Sequence, residues 1–414
     1  GHVMSATIVT TVQVKFDGST LTDISDRIIS ASISYGRQRN LDEFGAGTCT
    51  IEIMNRDNFL TPGHSDSAQG NTQLIGREVR ISAAVTGGSD SYSSYLFRGQ
   101  IADVDYEPDV NHQSATTILK CVDNFVRLSR ATFTGQSFSA EATSVRATNI
   151  LDLASVDYPD ESNPNDRTIA TGAVTCLSAS GQAGNALDYL QTIARTENGK
   201  IFINHAGTPA ATNFGGVLTF TAQNQTPLAS GLTVSDANSL SAGSIQAEEI
   251  KLEYGSELLF NAFSITPASG SIQVGNNAVS VAKYGSRTLE RTVLSSAADA
   301  ANAGSYFIGL YDEPNLRVSQ VTLQADMATV ADAEKILHLN INSALDLSIL
   351  PVGSSATLIG EYIVEGLSIQ ITPKDMASNK SSIRYVVSTS AADATGYWIL
   401  GDPSLSVLPT ILGL

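Results

Sequence analysis

Apolar and polar positions alternate with a period of two along most of this chain. Thr48-Cys49-Thr50-Ile51-Glu52-Ile53, Val79-Arg80-Ile81, Val321-Thr322-Leu323-Gln324 and Leu367-Ser368-Ile369-Gln370-Ile371-Thr372 each turn one row of side chains inward, as half-buried strands do. Turn clusters such as Thr86-Gly87-Gly88-Ser89-Asp90 and Ala268-Ser269-Gly270 separate them. A helical period is confined to three places. Asn185 to Ala194 sets Leu187, Leu190, Ile193 and Ala194 on one face, with Asn185 placed to cap and Gly199 to terminate the helix. A second helix is predicted from about Val145 to Val156, with Ile150, Leu151 and Ala154 inward, and a third over Ser296 to Tyr311. His338 alternates with Leu337 and Leu339, which predicts the exposed face of a strand. The fold class expected is therefore mainly β with minor α.

The two halves of the chain echo one another. Ile75-Gly76-Arg77-Glu78-Val79-Arg80-Ile81 is followed by Tyr95-Leu96-Phe97-Arg98-Gly99, then Pro108, then Thr116 to Val122. Val352-Gly353-Ser354-Ser355-Ala356-Thr357-Leu358 is followed by Tyr362-Ile363-Val364-Glu365-Gly366, then Pro373, then Ser381 to Val387. Any one of these signals is common, but four in the same order predict a duplicated antiparallel β-barrel. Gly76, Gly99, Gly353 and Gly366 are the barrel-turn positions, where a bend or a kink of a curled sheet needs a residue without Cβ. A proline then ends the third strand where no ladder donor is wanted. Three copies of a chain with two such barrels can imitate a six-fold ring, since closed rings are the usual outcome of repeated self-contact.

Composition narrows the classes of function. The chain has 414 residues with 24 Lys plus Arg against 41 Asp plus Glu, a formal net charge of −17. So acidic a chain lacks the basic surface that sequence-specific nucleic-acid binding requires, although an acidic lumen would repel DNA and let it slide. At 42% hydrophobic it is not a disordered acidic chain, and neither a spanning helix nor a secretory leader is expected. Cys49, Cys121 and Cys176 show no CxxC spacing and are expected as buried free thiols.

Candidate chemistry is thin. His2, His64, His112, His205 and His338 lie far apart without HExxH spacing, so no metal site is expected. Asp103-Val104-Asp105-Tyr106-Glu107-Pro108-Asp109 and Asp157-Tyr158-Pro159-Asp160-Glu161 lack the EF-hand order and read as solvated or tube-facing loops. No GxxxxGK[ST] or GxSxG motif occurs, so no cofactor and no catalytic residue is expected. The C-terminal stretch differs: Trp398, Ile399, Leu400, Leu405, Leu408 and Ile411 crowd a segment broken by Pro403 and Pro409. It is too broken for a membrane helix and too apolar to stay in water, and is expected to be an arm that docks on its own subunit or on a neighbour.

The N-terminal run Ile33-Ser34-Tyr35-Gly36-Arg37, Leu41-Asp42-Glu43-Phe44-Gly45-Ala46-Gly47 and Thr50 to Asp57 carries a family likeness. So do Leu74-Ile75-Gly76-Arg77, Phe97-Arg98-Gly99 and Lys120-Cys121-Val122-Asp123, as well as Ala194 to Ile201, Val281 to Arg287, and Trp398-Ile399-Leu400-Gly401-Asp402. Together they resemble the minor tail proteins of long-tailed phages, which are similar to the central baseplate hub of contractile-tail phages and to the hub part of VgrG. The resemblance implies a homotrimeric hub at the tail tip of the virion, made in the host cytoplasm, with an architectural and non-enzymatic role. Its implied partners are a hexameric distal tail or tail-tube protein, tip fibre, spike or receptor-binding proteins, and a tape measure protein. On the chain this reads as a first hub barrel over 5–132, a mixed α/β segment over 133–240, a second barrel over 241–390 with an excursion at about 261–316, and the arm over 391–414. The alternatives are a distal tail or receptor-binding tip component and, in another class, a tail-associated cell-wall or capsule hydrolase.

Overall fold

The computed structural model describes residues 5–67, 74–90, 93–107, 115–206, 214–223, 225–237, 243–314, 316–350, 358–375 and 377–392. Its frame is a 14-stranded sheet. Twelve strands matter here: β1 (Ile8–Val14), β2 (Ile28–Gly36), β3 (Thr48–Met54), β4 (Glu78–Val85), β5 (Ser94–Glu107), β6 (Thr116–Val122), β7 (Leu228–Ser235), β8 (Glu249–Tyr254), β9 (Leu316–Gln324), β10 (Ser343–Ile349), β11 (Leu358–Asp375) and β12 (Lys380–Ala391). The expected alternation is present. In β3, Cys49, Ile51 and Ile53 are buried between outward Thr48, Thr50 and Glu52.

The strands form two rings. The first runs β2-β3-β6-β5-β4-β1-β12-β11 and returns from β11 to β2, with β1 meeting β12 at Val9 opposite Lys380. Val12, Ile33, Ile51, Ile81, Leu119, Ile369 and Ile383 fill it, each at most 1% exposed. At about 1.5–3 kcal/mol per buried aliphatic side chain, this filling dominates the ring's stability. The second ring runs β7-β10-β11-β12-β9-β8, with Ile245–Gln246 beside β7. Backbone bonds from Ala247 N to Ser235 O and Glu248 N to Thr322 O link its two ends at one level. Beyond that level β9 is the one sheet neighbour of β8 among the described residues. Both rings therefore share β11 and β12, and one continuous apolar core runs through them.

The echo has a structural counterpart. β4-β5-β6 and β10-β11-β12 are each antiparallel meanders with a long, bulged middle strand: Leu96 and Ala102 are the extra residues of β5, and Glu365 and Lys374 are those of β11. Its first member is displaced from the expected place. The strand that pairs with β11 is Ser343–Ile349, Leu358 already opens β11, and 351–357 lie outside the described residues. Pro373 does not end its strand: it pairs with Ser381, and β11 continues to Asp375 past a second bulge at Lys374. The pairing is also not wholly antiparallel, since β7 runs parallel to β10.

The helices are α1 (Phe125–Arg130), α2 (Thr143–Leu151), α3 (Ala186–Glu197), α4 (Ala278–Tyr284), α5 (Ala297–Tyr311) and α6 (Val330–Leu337). Asn185 caps α3 by accepting from Asp188 N, and Leu190, Ile193 and Ala194 are buried. Its stop is Asn198 at φ 55°, one residue before the expected Gly199, because Asn also tolerates the left-handed region. α2 is shorter than its apolar pattern suggests. It ends at Leu151, Ala154 is exposed, and Val156 is buried from the following turn. His338 is the C-cap of α6 rather than a strand residue, partly covered, with Nε2 2.8 Å from Asp90 Oδ2. Thr329 caps α6 through Asp332 N, a signal read over because the helix spans only eight residues.

Between the rings in sequence, Lys200–Asn204, Val217–Thr221 and Arg167–Ile169 form a three-stranded sheet. The excursion pairs Ala262–Thr266 with Gln273–Asn276 and Thr288–Thr292 and packs α5 on a small separate core of Phe263, Ile265, Val293 and Ala300. The three cysteines are free and buried, Cys49 directly opposite Cys121, and burial pushes the Cys121 thiol up to about 12.

Candidate assembly site

A buried charge cluster lies where the rings meet. Glu365 is the extra residue between Val364, opposite Thr389, and Gly366, opposite Ser388. The bulge turns a carboxylate into a place the alternation would otherwise give to an apolar residue. The two backbones come close here: Gly366 pairs with Gly36, and a Cβ on Gly36 would stand 2.5 Å from Glu365 O, at a φ of +95°. Both requirements select glycine.

Glu365 is 1% exposed and fully partnered. Arg37 Nε donates to Oε2 at 2.5 Å, Ser390 Oγ donates to Oε1 at 2.5 Å, and Lys200 Nζ lies 3.6 Å from Oε1. Lys200 Nζ also donates to Asn342 Oδ1 at 3.0 Å, and Arg37 Nη1 to Asp42 O at 2.8 Å. Burial by itself would raise the Glu365 pKa, but the Arg37 and Lys200 charges outweigh it and hold the carboxyl at about 2. Burial pulls Lys200 below its ordinary value despite Glu365. One carboxylate thus ties β2, the three-stranded sheet, β11 and β12 together.

A second buried pair fixes the three-stranded sheet to the first ring. Asp123 Oδ2 accepts from Gly47 N at 2.7 Å and lies 2.9 Å from His205 Nε2, while Oδ1 accepts from Phe125 N at 3.0 Å. His205 Nδ1 accepts from Arg98 N at 3.2 Å, which places the ring proton on Nε2. Phe97 stacks on the imidazole at 4.7 Å and Tyr35 meets its edge at 4.7 Å. With both side chains at most 1% exposed and every polar atom engaged, the pair resembles a general-base dyad only in composition.

The residues singled out from sequence distribute as follows. Gly76 precedes β4 at φ +84°, and Gly99 sits in β5 where a Cβ would meet Val122 O at 2.4 Å and the Phe97 ring. Gly366 lies at the junction, while Gly353 and Trp398, Ile399, Leu400, Leu405, Leu408 and Ile411 are outside the described residues. Asp103, Asp105 and Glu107 line the exposed end of β5, with Lys120 Nζ 2.6 Å from Asp105. Among the described residues no group of three or more His, Cys, Asp or Glu is arranged to hold a metal, and no helix is long and apolar enough to cross a membrane. Arg37, Lys200, Glu365, Asp123 and His205 were not singled out. The available signal was a lone charge inside an apolar run, Val364-Glu365-Gly366.

No protein-family model and no curated protein matches the sequence. Solved structures do match the fold. A tail protein from Neisseria meningitidis MC58 superposes with a TM-score of 0.57 at 10% identity, covering 94% of this chain and 98% of that one. The 43 kDa tail protein of prophage MuSo2 from Shewanella oneidensis gives 0.55 at 12% identity, covering 94% and 99%. A chain of the Francisella PdpA–VgrG complex gives 0.51 at 8% identity, covering 95% of this chain and 54% of that one. Two shared-hairpin rings flanking a small α/β unit are therefore a fold held in common with phage tail proteins and with a VgrG complex, the group the sequence resembles.

Proposed function

We propose that this chain is an architectural hub of a phage-type tail tip. Three copies assemble around one axis, each contributing two strand rings, so that a three-fold body mates with a six-fold tail-tube or distal tail ring. Tip or receptor-binding proteins attach on the opposite side, and DNA passes through an acidic centre. The observation that carries this reading is the shared β11–β12 hairpin, pinned by Arg37, Glu365 and Lys200, which holds two similar meanders in one sheet. Ring units that must match alternate faces of a hexamer need such fixed mutual placement. The likeness to tail proteins over nearly their whole length supports it. On this reading the protein turns over no substrate, and its buried acid–base groups serve packing.

Light scattering on the purified chain, alone and mixed with its tail-tube partner, tests the proposal. The expected mass is three times 43.5 kDa, alone or on the tube. A monomer in both conditions, or release of sugar or peptide from host envelope, overturns it.

A further inference from the structure

The second ring leaves an apolar row uncovered. On β8, Ile250 packs against the core, and Leu252 and Tyr254 follow it on the same face at 41% and 55% exposure. They line a cleft of about 400 Å³ at the end of β8 and β9, together with Leu258, Tyr311, Glu313 and Arg317. The Arg317 side chain is 6% exposed, and its Nη2 donates to Glu253 Oε2 at 2.8 Å. Its Nη1 is buried without an acceptor among the described residues. A buried guanidinium N–H left unpaired costs about 1–3 kcal/mol, so Nη1 lacks an acceptor although Glu253, Glu257 and Glu313 also line the cleft, and Leu252 and Tyr254 lack an apolar cover.

The chain itself supplies a candidate beside the cleft. β12 lies next to β9, with Ser388 opposite Gln320 and Thr389 Oγ1 donating to Val318 O. Continued in register, Ala391 falls beside Arg317, two strands from β8, or about 10 Å at ~4.8 Å per strand. Residues 393–414 follow, and they hold Trp398, Ile399, Leu400, Leu405, Leu408 and Ile411 with Asp393 and Asp402. Trp398 lies six positions past Ala392, within about 20 Å of extended chain.

We propose that the segment 393–414 of each chain folds back onto the same chain, covering Leu252 and Tyr254 and offering an acceptor to Arg317. This completes the open flank of the second ring in cis. It does not rest on trimer formation, so its test separates from the mass measurement above.

Trp398 is the one tryptophan of the sequence and reports the segment directly. In the full chain, Trp398 emission is expected at short wavelength and shielded from acrylamide. The double change Leu252→Asp with Tyr254→Asp should raise the quenching constant about threefold, and Arg317→Gln should raise it less. Val274→Asp, on the excursion's exposed strand, should leave it unchanged. Shielding should persist from micromolar to nanomolar protein. A fully quenchable Trp398 in the parent chain, or shielding indifferent to positions 252 and 254, overturns the proposal. Loss of shielding on dilution also overturns it and assigns the cleft to a neighbouring copy. Should the double variant fail to fold by circular dichroism, the reciprocal measurement decides. Trp398→Ala must then speed amide exchange over 249–254 and spare β3, and unchanged exchange there overturns the proposal.

Discussion

The two strand rings contain similar meanders and close in different ways. In the first, all eight strands have two neighbours, and the last gap needs one residue pair, Val9 with Lys380. In the second, the ends meet among the described residues through Ala247 and Glu248, after which β8 runs on beside β9. A free edge carries unpaired donors and acceptors that proteins normally blunt with charge or cover. Here Glu249, Lys251 and Glu253 blunt it, yet Leu252 and Tyr254 keep an apolar row on the same strand. The first ring is thus closed by its own strands, whereas among the described residues one flank of the second is left unpaired.

Glu365→Gln should separate the rings' fates most strongly. Removing the carboxylate leaves Arg37 and Lys200 buried without their counter-charge, and breaking such a pair costs about 3–5 kcal/mol. Urea unfolding followed by circular dichroism checks this, and a change below 1 kcal/mol would detach the junction from stability. The same variant sharpens the pH response. The Glu365 carboxyl sits at about 2 in the folded chain against an ordinary 4.5. Its contribution is therefore present above pH 4.5 and is lost as pH falls through 2, so parent and variant stabilities should converge across that window. Gly36→Ala comes next. A Cβ at positive φ against Glu365 O should cost about 2–3 kcal/mol and be felt in both rings, visible as one cooperative transition at lower urea. Thr329→Ala removes the cap of α6, which packs on β7 of the second ring and on β4 and β5 of the first, and should cost about 1 kcal/mol. Hydrogen exchange should show that loss confined to α6 and its neighbours.

Much of the frame was legible because strands of a half-solvated sheet write their period into the sequence. β3, β4, β9 and β11 lie where alternation sets them, Asn185 caps its helix as its position implies, and the helix expected over Ser296 to Tyr311 is present as α5. Short helices were not: α6 is eight residues long, too short for its 3.6-residue period to stand out from Leu337-His338-Leu339. The junction was harder still. Glu365 reads as an outward residue unless the bulge beside it is known, and a bulge depends on the pairing of β11 with β12 rather than on local composition. Lys200 and His205 meet their partners across 165 and 82 positions of chain, a proximity that only the closed topology creates.

The length of β11 has a mechanical consequence. Eighteen residues of extended backbone span about 60 Å, and they pass from one ring into the other without a turn. A pull or twist on either end travels along its covalent backbone, and the bulge at Glu365, held by Arg37, Lys200 and Ser390, is where the ladder to β12 shifts register between the two rings.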